Sequence, residues 1–235
     1  MNLSNKNILI TGGSLGIGKE TARILSEKGA NVVITGRDKD RLLKAQAYTG
    51  AHPIVFDISD TKAIKENTEK CISHFNGKID AVVNNAGLGY FNKMDSLNYD
   101  DFKKIFDVNV FGLSLLTKEI VPLMKNQKSG TIINIGSSAS LKGFKGGSVY
   151  AASKFAVRAL TQCWQAELRE FNIRVCQVNP SEVKTAFNDQ NRIERELEDK
   201  KLRPIEIAHA ITSALEMDDR GFINELNVWA TNPFS

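Results

Sequence analysis

The chain has 235 residues, 42% of them hydrophobic and 25% charged, and a net charge of +4 at pH 7. That composition supports one core of an α/β protein. The positive excess is scattered, with no Lys/Arg block and no basic stripe interleaved with aromatics, which argues against nucleic-acid or membrane binding.

In chain order, an apolar run ends at Thr11-Gly12-Gly13, and an apolar-periodic segment begins near Gly16. The pattern predicts strand, tight turn and helix, with Gly12, Gly16 and Gly18 leaving room for close backbone approach. Free N–H groups and the dipole at such a helix start favour an anion such as a pyrophosphate; the same cluster would also serve a plain βα turn. Gly29 suits the end of that helix. Further strands are predicted over Asn31–Thr35, Pro53–Asp57, Ile79–Val83, Thr131–Ile135, Ile173–Val178 and Glu225–Val228. Further helices are predicted over Arg41–Tyr48, Thr61–Phe75, Tyr99–Met124, Val149–Phe171 and Pro204–Met217. Asn188–Arg203 is polar and charge-rich and reads as a mobile segment with some helix.

Strict alternation of strands and helices implies a parallel sheet covered on both faces: a doubly wound, three-layer α/β/α Rossmann arrangement. No linker divides the chain, so one domain is expected. Ligands in such sheets lie at the carboxyl ends of the strands. Polar or glycine-rich residues cluster at those ends: Thr11–Gly18, Gly36-Arg37, Asp57, Asn84–Gly87, Ser137 and Asn179–Thr185. Cys71, Cys163 and Cys176 are far apart and show no metal-binding spacing, which suits a reduced, cytoplasmic protein.

Tyr150-Ala-Ala-Ser-Lys154 carries the sharpest chemical signal. On a helix, positions i and i+4 share a face, so a phenol and an ammonium can enter one site, and a neighbouring Lys⁺ favours phenolate. Alone, the spacing would equally describe a surface Tyr and Lys. Together with T-G-G-S-L-G-I-G at Thr11–Gly18, D-I at Asp57-Ile58, N-N-A-G at Asn84–Gly87, V-N-V around Asn109, I-G-S at Ile135–Ser137 and N-P-S-E-V-K-T at Asn179–Thr185, it resembles the short-chain dehydrogenase/reductase family. The resemblance spans Lys6 to about Trp229.

That resemblance implies roles position by position. Tyr150 would be the acid/base, Ser137 would orient the substrate oxygen, Lys154 would hold the ribose and tune Tyr150, and Asn109 would support a water relay. Gly12, Ser14, Gly16, Ile17 and Gly18 would lie at the pyrophosphate, and Asp57 and Ile58 at the adenine. Asn84, Ala86 and Gly87 would follow the adenosine and ribose, with Pro180, Val183 and Thr185 over the nicotinamide. Ser181 stands where the family usually has Gly. Gly36 occupies the usual acidic position and Arg37 follows, so NADP(H) is expected over NAD(H); Leu15, where many NADP-preferring relatives carry a basic residue, points the other way.

The implied activity is NADPH-dependent reduction of a small-molecule carbonyl, or the reverse alcohol oxidation. A 3-oxoacyl-carrier-protein reductase and a catalytically silent dinucleotide sensor are the alternatives. Leu88–Phe91, Lys142–Phe144 and residues 186–203 are expected to line the substrate pocket, with 186–203 as a lid. Tyr99–Met124 and Val149–Phe171 resemble the helices through which relatives form dimers and tetramers.

Overall fold

The computed structural model describes residues 1–187, 192–194, 198 and 200–233. Seven strands form one all-parallel sheet: β1 Asn7–Thr11, β2 Asn31–Gly36, β3 His52–Val55, β4 Ala81–Asn84, β5 Gly130–Ile135, β6 Ile173–Pro180 and β7 Glu225–Val228. Their spatial order is β3-β2-β1-β4-β5-β6-β7. The helices are α1 Gly16–Glu27, α2 Lys39–Thr49, α3 Ile64–His74, α4 Tyr99–Phe106, α5 Leu113–Gln127, α6 Ser148–Leu168 and α7 Pro204–Glu216.

Because successive strand residues face opposite sides of a sheet, β1 feeds two cores. Ile8 and Ile10 join Leu25, Leu42, Ile207, Ile211 and Leu215 from α1, α2 and α7. Leu9 joins Ile64, Cys71, Leu116, Ile120, Met124 and Leu168 from α3, α5 and α6. The central strands are therefore apolar almost throughout, as a sheet covered on both faces requires. This is the doubly wound α/β arrangement the alternation predicts.

Local chemistry sets several boundaries. Asp38 caps α2 by accepting from the N–H of Arg41 at 2.9 Å. Asn98 and Asp101 form a capping box at the start of α4. Pro204 opens α7, where its missing N–H costs nothing.

The long helix expected over Tyr99–Met124 is not continuous. Asp107–Gly112 is a π-helical turn between α4 and α5. Gly112 explains the local fit: a Cβ there would lie 2.3 Å from the carbonyl oxygen of Ile58. The third strand ends at Val55, short of the predicted Asp57, and α3 begins at Ile64 rather than Thr61. Part of the expected mobile segment, residues 188–191, 195–197 and 199, lies outside the described residues.

Candidate active site

The chain runs outward from β1 in two directions, to β2 on one side and to β4 on the other. The crevice at their carboxyl ends is where such sheets bind ligands. Thr11 Oγ1 accepts from the N–H groups of Asn85 at 3.1 Å and Ala86 at 3.0 Å. Asn85 Nδ2 donates back to the carbonyls of Thr11 at 3.0 Å and Gly12 at 2.9 Å. These bonds pin the glycine turn to the end of β4. Gly12 has φ +66°, and a Cβ there would come within 2.9 Å of Ala86 Cα; both facts demand glycine.

A cleft of about 260 Å³ opens from this point. Gly12, Ser14, Gly16 and Ile17 line its floor at the start of α1. Gly16 has φ +53°, and an added Cβ would stand 3.1 Å from the Thr185 methyl, so the turn and the loop after β6 almost touch. The result is a backbone cradle with N–H groups at a helix start, which fits a pyrophosphate. Asp57, Ile58, Ala86, Gly87, Pro180, Val183 and Thr185 line the same cleft. Asp57 also accepts from the N–H and hydroxyl of Ser59 at 2.9 and 2.7 Å, so it shapes its own turn.

Three expected site residues, Gly18, Asn84 and Asn109, are not among those lining the cleft. Gly18 is beneath the turn: a Cβ would press to 2.4 Å on the Gly12 carbonyl, so its role is close packing of α1. Asn84 is buried in the core, donating to Thr117 Oγ1 at 3.0 Å and Asn134 Oδ1 at 2.9 Å. Strand alternation turns Asn84 inward, and Asn85 reaches the cleft instead. Asn109 sits in the π-helical turn with its amide committed to Leu88 and to Ser153 Oγ, the latter at 3.0 Å.

The sequence reading also missed Arg41. It lines the cleft with Arg37 and pairs with Asp38 at 2.7 Å. Hydrogen bonds from the Arg41 N–H and guanidinium hold the Asp38 carboxyl below its usual range. The signal was the Asp38-to-Arg41 spacing, a helix N-cap with a basic residue one turn on.

The chemical end of the cleft is built on the first turns of α6. Tyr150 and Lys154 share a face and are both buried. Ser137 is fixed by its N–H, which donates to Ser140 Oγ at 3.1 Å and Asn179 Oδ1 at 3.2 Å. Its hydroxyl accepts from the Ala139 N–H at 3.1 Å. Burial pushes Tyr150 up to about 12, with the Ser137 bond opposing. Burial pulls Lys154 down to about 8. Burial, and not Lys154, sets the direction of the phenol shift in this structure. Lys154 Nζ donates to the Ile135 carbonyl at 2.8 Å and lies 5.8 Å from the Tyr150 ring centre, so desolvation outweighs its charge.

The phenol stands between two aromatic neighbours. Phe91 and Phe187 contact the Tyr150 ring edge-on, with centroids 5.4 and 5.7 Å away. At the other end of the cleft, Lys19 Nζ holds Glu194 at 2.9 and 3.1 Å, and the Gly16 N–H points to Glu194 Oε1 at 3.4 Å. Among the described residues, no group of three or more His, Cys, Asp or Glu side chains could hold a metal ion. No described helix is long and apolar enough to cross a membrane.

The glycine cradle, the buried Tyr150/Lys154 pair and the positioned Ser137 form one continuous site. The profile of the short chain dehydrogenase family matches residues 6–196. The chain belongs to this family. An uncharacterized oxidoreductase of Staphylococcus saprophyticus is 34% identical over 95% of each chain. A 3-oxoacyl-[acyl-carrier-protein] reductase of Thermotoga maritima is 35% identical over 81% of this chain and 79% of its own. A metagenomic short-chain oxidoreductase solved with NADP superposes with a TM-score of 0.83 at 30% identity, covering 97% of this chain and 98% of that one. This short-chain dehydrogenase is thus an NAD(P)-dependent oxidoreductase acting between alcohol and carbonyl groups.

Proposed function

We propose that this short-chain dehydrogenase is an NADPH-dependent carbonyl reductase, running in reverse as an alcohol dehydrogenase. The observation that carries the reading is Tyr150: a buried phenol, pushed up to about 12 and hence protonated at neutral pH, lining the same cleft as Ser137, Lys154 and the glycine cradle. A proton donor to a carbonyl needs that form.

The nicotinamide would supply the hydride when bound. The Ser137 hydroxyl would hold the substrate carbonyl oxygen, and Tyr150 would release its proton to that oxygen. Lys154 would hold the ribose and, as an ammonium, stabilise the phenolate left behind. Gly12, Ser14, Gly16 and Ile17 would carry the pyrophosphate, with Asp57 and Ile58 at the adenine. Arg37 and Arg41 would take the 2′-phosphate that distinguishes NADP from NAD, since a guanidinium matches phosphate geometry.

The same reading treats residues 1–235 as one domain with a lid at 186–203, makes the substrate a small molecule, and places the enzyme in the cytoplasm. It also makes the protein a homodimer or homotetramer. The exposed rings of Phe102 and Phe111, joined through Phe106 with centroids 6.3 Å apart at each step, support a helical interface at α4 and the π-helical turn. A second reading, 3-oxoacyl-carrier-protein reduction, draws support from exposed Lys142 and Lys145 beside Phe144, a basic rim suited to an acidic carrier.

The test is steady-state NADPH oxidation over ketones, aldehydes, quinones and acyl thioesters. A carbonyl substrate should turn over, and Tyr150→Phe should lower kcat by about 10²–10⁴-fold while NADPH fluorescence titration stays near normal. Undiminished kcat in Tyr150→Phe would sink the mechanism.

A further inference from the structure

The residues around the phenol have a composition of their own. Phe91 and Phe187 flank Tyr150, and Phe91 continues into Phe144, with ring centroids 5.8 Å apart. The four rings form a single aromatic run, Phe187–Tyr150–Phe91–Phe144, that passes through the proton donor and leads outward on the Phe91 side. Phe91 is 43% exposed and Phe144 50% exposed, so the outer half of the run faces solvent. A solvent-facing pair of phenylalanines in ring contact with the buried phenol is an exposed apolar surface beside it.

The backbone is arranged to keep it there. The Phe144 ring lies over Gly147, just before α6, and a Cβ at Gly147 would fall 2.5 Å from Phe144 Cζ. The glycine therefore lets the ring lie flat against the start of the helix that bears Tyr150. On the inner side, Phe187 comes within 3.7 Å of where a Gly87 Cβ would be, close to the cofactor side of the cleft. Aromatic rings attract other aromatic groups through offset or edge-on contacts beyond simple burial.

Building on the carbonyl-reductase reading, the geometry points to a substrate whose carbonyl carries an aryl group: the oxygen at Tyr150 and Ser137, the ring against Phe91 and Phe144. Phe91 and Phe144 are then the specificity-determining residues, and they act on the substituent rather than on the reacting carbon. A short alkyl substituent would leave both rings in water. A long flexible acyl thioester would cross them without matching their faces.

The experiment separates ligand class from turnover. Binding of acetophenone and of 2-butanone to the full-length protein saturated with NADP⁺ is measured by calorimetry, since neither ketone can be reduced by the oxidised cofactor. Acetophenone should bind at least roughly 20-fold tighter, the scale a well-matched pocket gives. Phe144→Ser, at an exposed position, should bring the two affinities within about threefold, and Phe91→Leu should narrow the gap to an intermediate value. Equal affinities in the unaltered protein, no binding of either ketone, or an undiminished preference in Phe144→Ser would overturn the inference. Failure of the reductase reading looks different: no NADPH oxidation with any carbonyl while the acetophenone preference persists.

Discussion

The side-chain amide of Asn109 brackets the backbone of Leu88, accepting from its N–H at 2.8 Å and donating to its carbonyl at 2.9 Å. The same amide nitrogen reaches Ser153 Oγ, which in turn donates to the Tyr150 carbonyl at 2.7 Å. One buried side chain thus ties the loop after β4 to the helix of the phenol.

Asn109→Ala should expose the consequence. It leaves both polar groups of Leu88 without their partner in a half-buried place, which costs about 2 kcal/mol. The denaturation midpoint in urea should fall accordingly, and kcat/KM should fall because the Leu88 loop shifts. Asn109→Asp should recover the bond from the Leu88 N–H and lose the one to its carbonyl, giving an intermediate midpoint. An unchanged midpoint in Asn109→Ala would contradict the clamp.

Lys154 should be a site where stability and activity oppose each other. Its ammonium is buried, and burial lowers its pKa from 10.5 to about 8. That depression corresponds to about 3 kcal/mol of strain on the charged form at neutral pH. Lys154→Met removes the charge and loses the bond to the Ile135 carbonyl, about 1–2 kcal/mol. The variant should melt a few degrees higher at pH 7 and be nearly inactive. A depressed folded-state pKa gives stability that is present above the unfolded value and lost as pH falls through the folded one. The parent protein should therefore gain stability between about pH 8 and 10, and Lys154→Met should not. The raised pKa of Tyr150 acts only above about 10, where it removes stability as pH rises through about 12.

Arg37 and Arg41 should divide the cost of distinguishing cofactors. Arg37→Ala should raise KM for NADPH by about tenfold or more, the scale of a lost charge-assisted bond, and leave KM for NADH nearly unchanged. Arg41→Ala should do the same more weakly, because its guanidinium is shared with Asp38. Equal KM changes for both cofactors in either variant would show that the arginine serves the fold and not the 2′-phosphate.

The stacked pair His52 and His74, with ring centroids 3.9 Å apart, should set the acid side of the stability profile. Burial, and then the charge of His52, hold His74 below its usual 6.5. Its contribution is full above pH 6.5 and is lost as pH falls through the lower folded-state value. His74→Gln should flatten the decline in Tm between pH 7 and 5; an unchanged slope would assign the decline elsewhere.

Most of the strand and helix order could be read from the sequence because buried parallel strands leave unmistakable apolar runs. Tyr150, Lys154 and Ser137 were legible because helical spacing puts the first two on one face and the joint run of motifs, which resembles the short-chain dehydrogenase/reductase family, gives all three a role. The π-helical turn at Asp107–Gly112 was not, since a single-turn widening leaves the apolar pattern almost intact and the close approach of Gly112 to the Ile58 carbonyl is a contact between distant parts of the chain. Asn84 and Asn85 look identical in sequence, and only the pleat decides which faces the core. The direction of the Tyr150 pKa needed the depth of its burial, which spacing does not contain.

Glu194 has a consequence for affinity. Its carboxylate is held by Lys19 and faces the Gly16 N–H, so it would compete with a pyrophosphate bound at the proposed cradle. Any dinucleotide entering there must first displace a tethered anion, whose local concentration never falls however dilute the protein becomes. Observed affinity is then a difference between two anions, not the strength of one, and the enzyme sets a floor on the cofactor level at which it fills. Glu194→Gln should lower that floor, seen as tighter NADPH binding with a smaller gain at high salt, where the Lys19 pair is already screened.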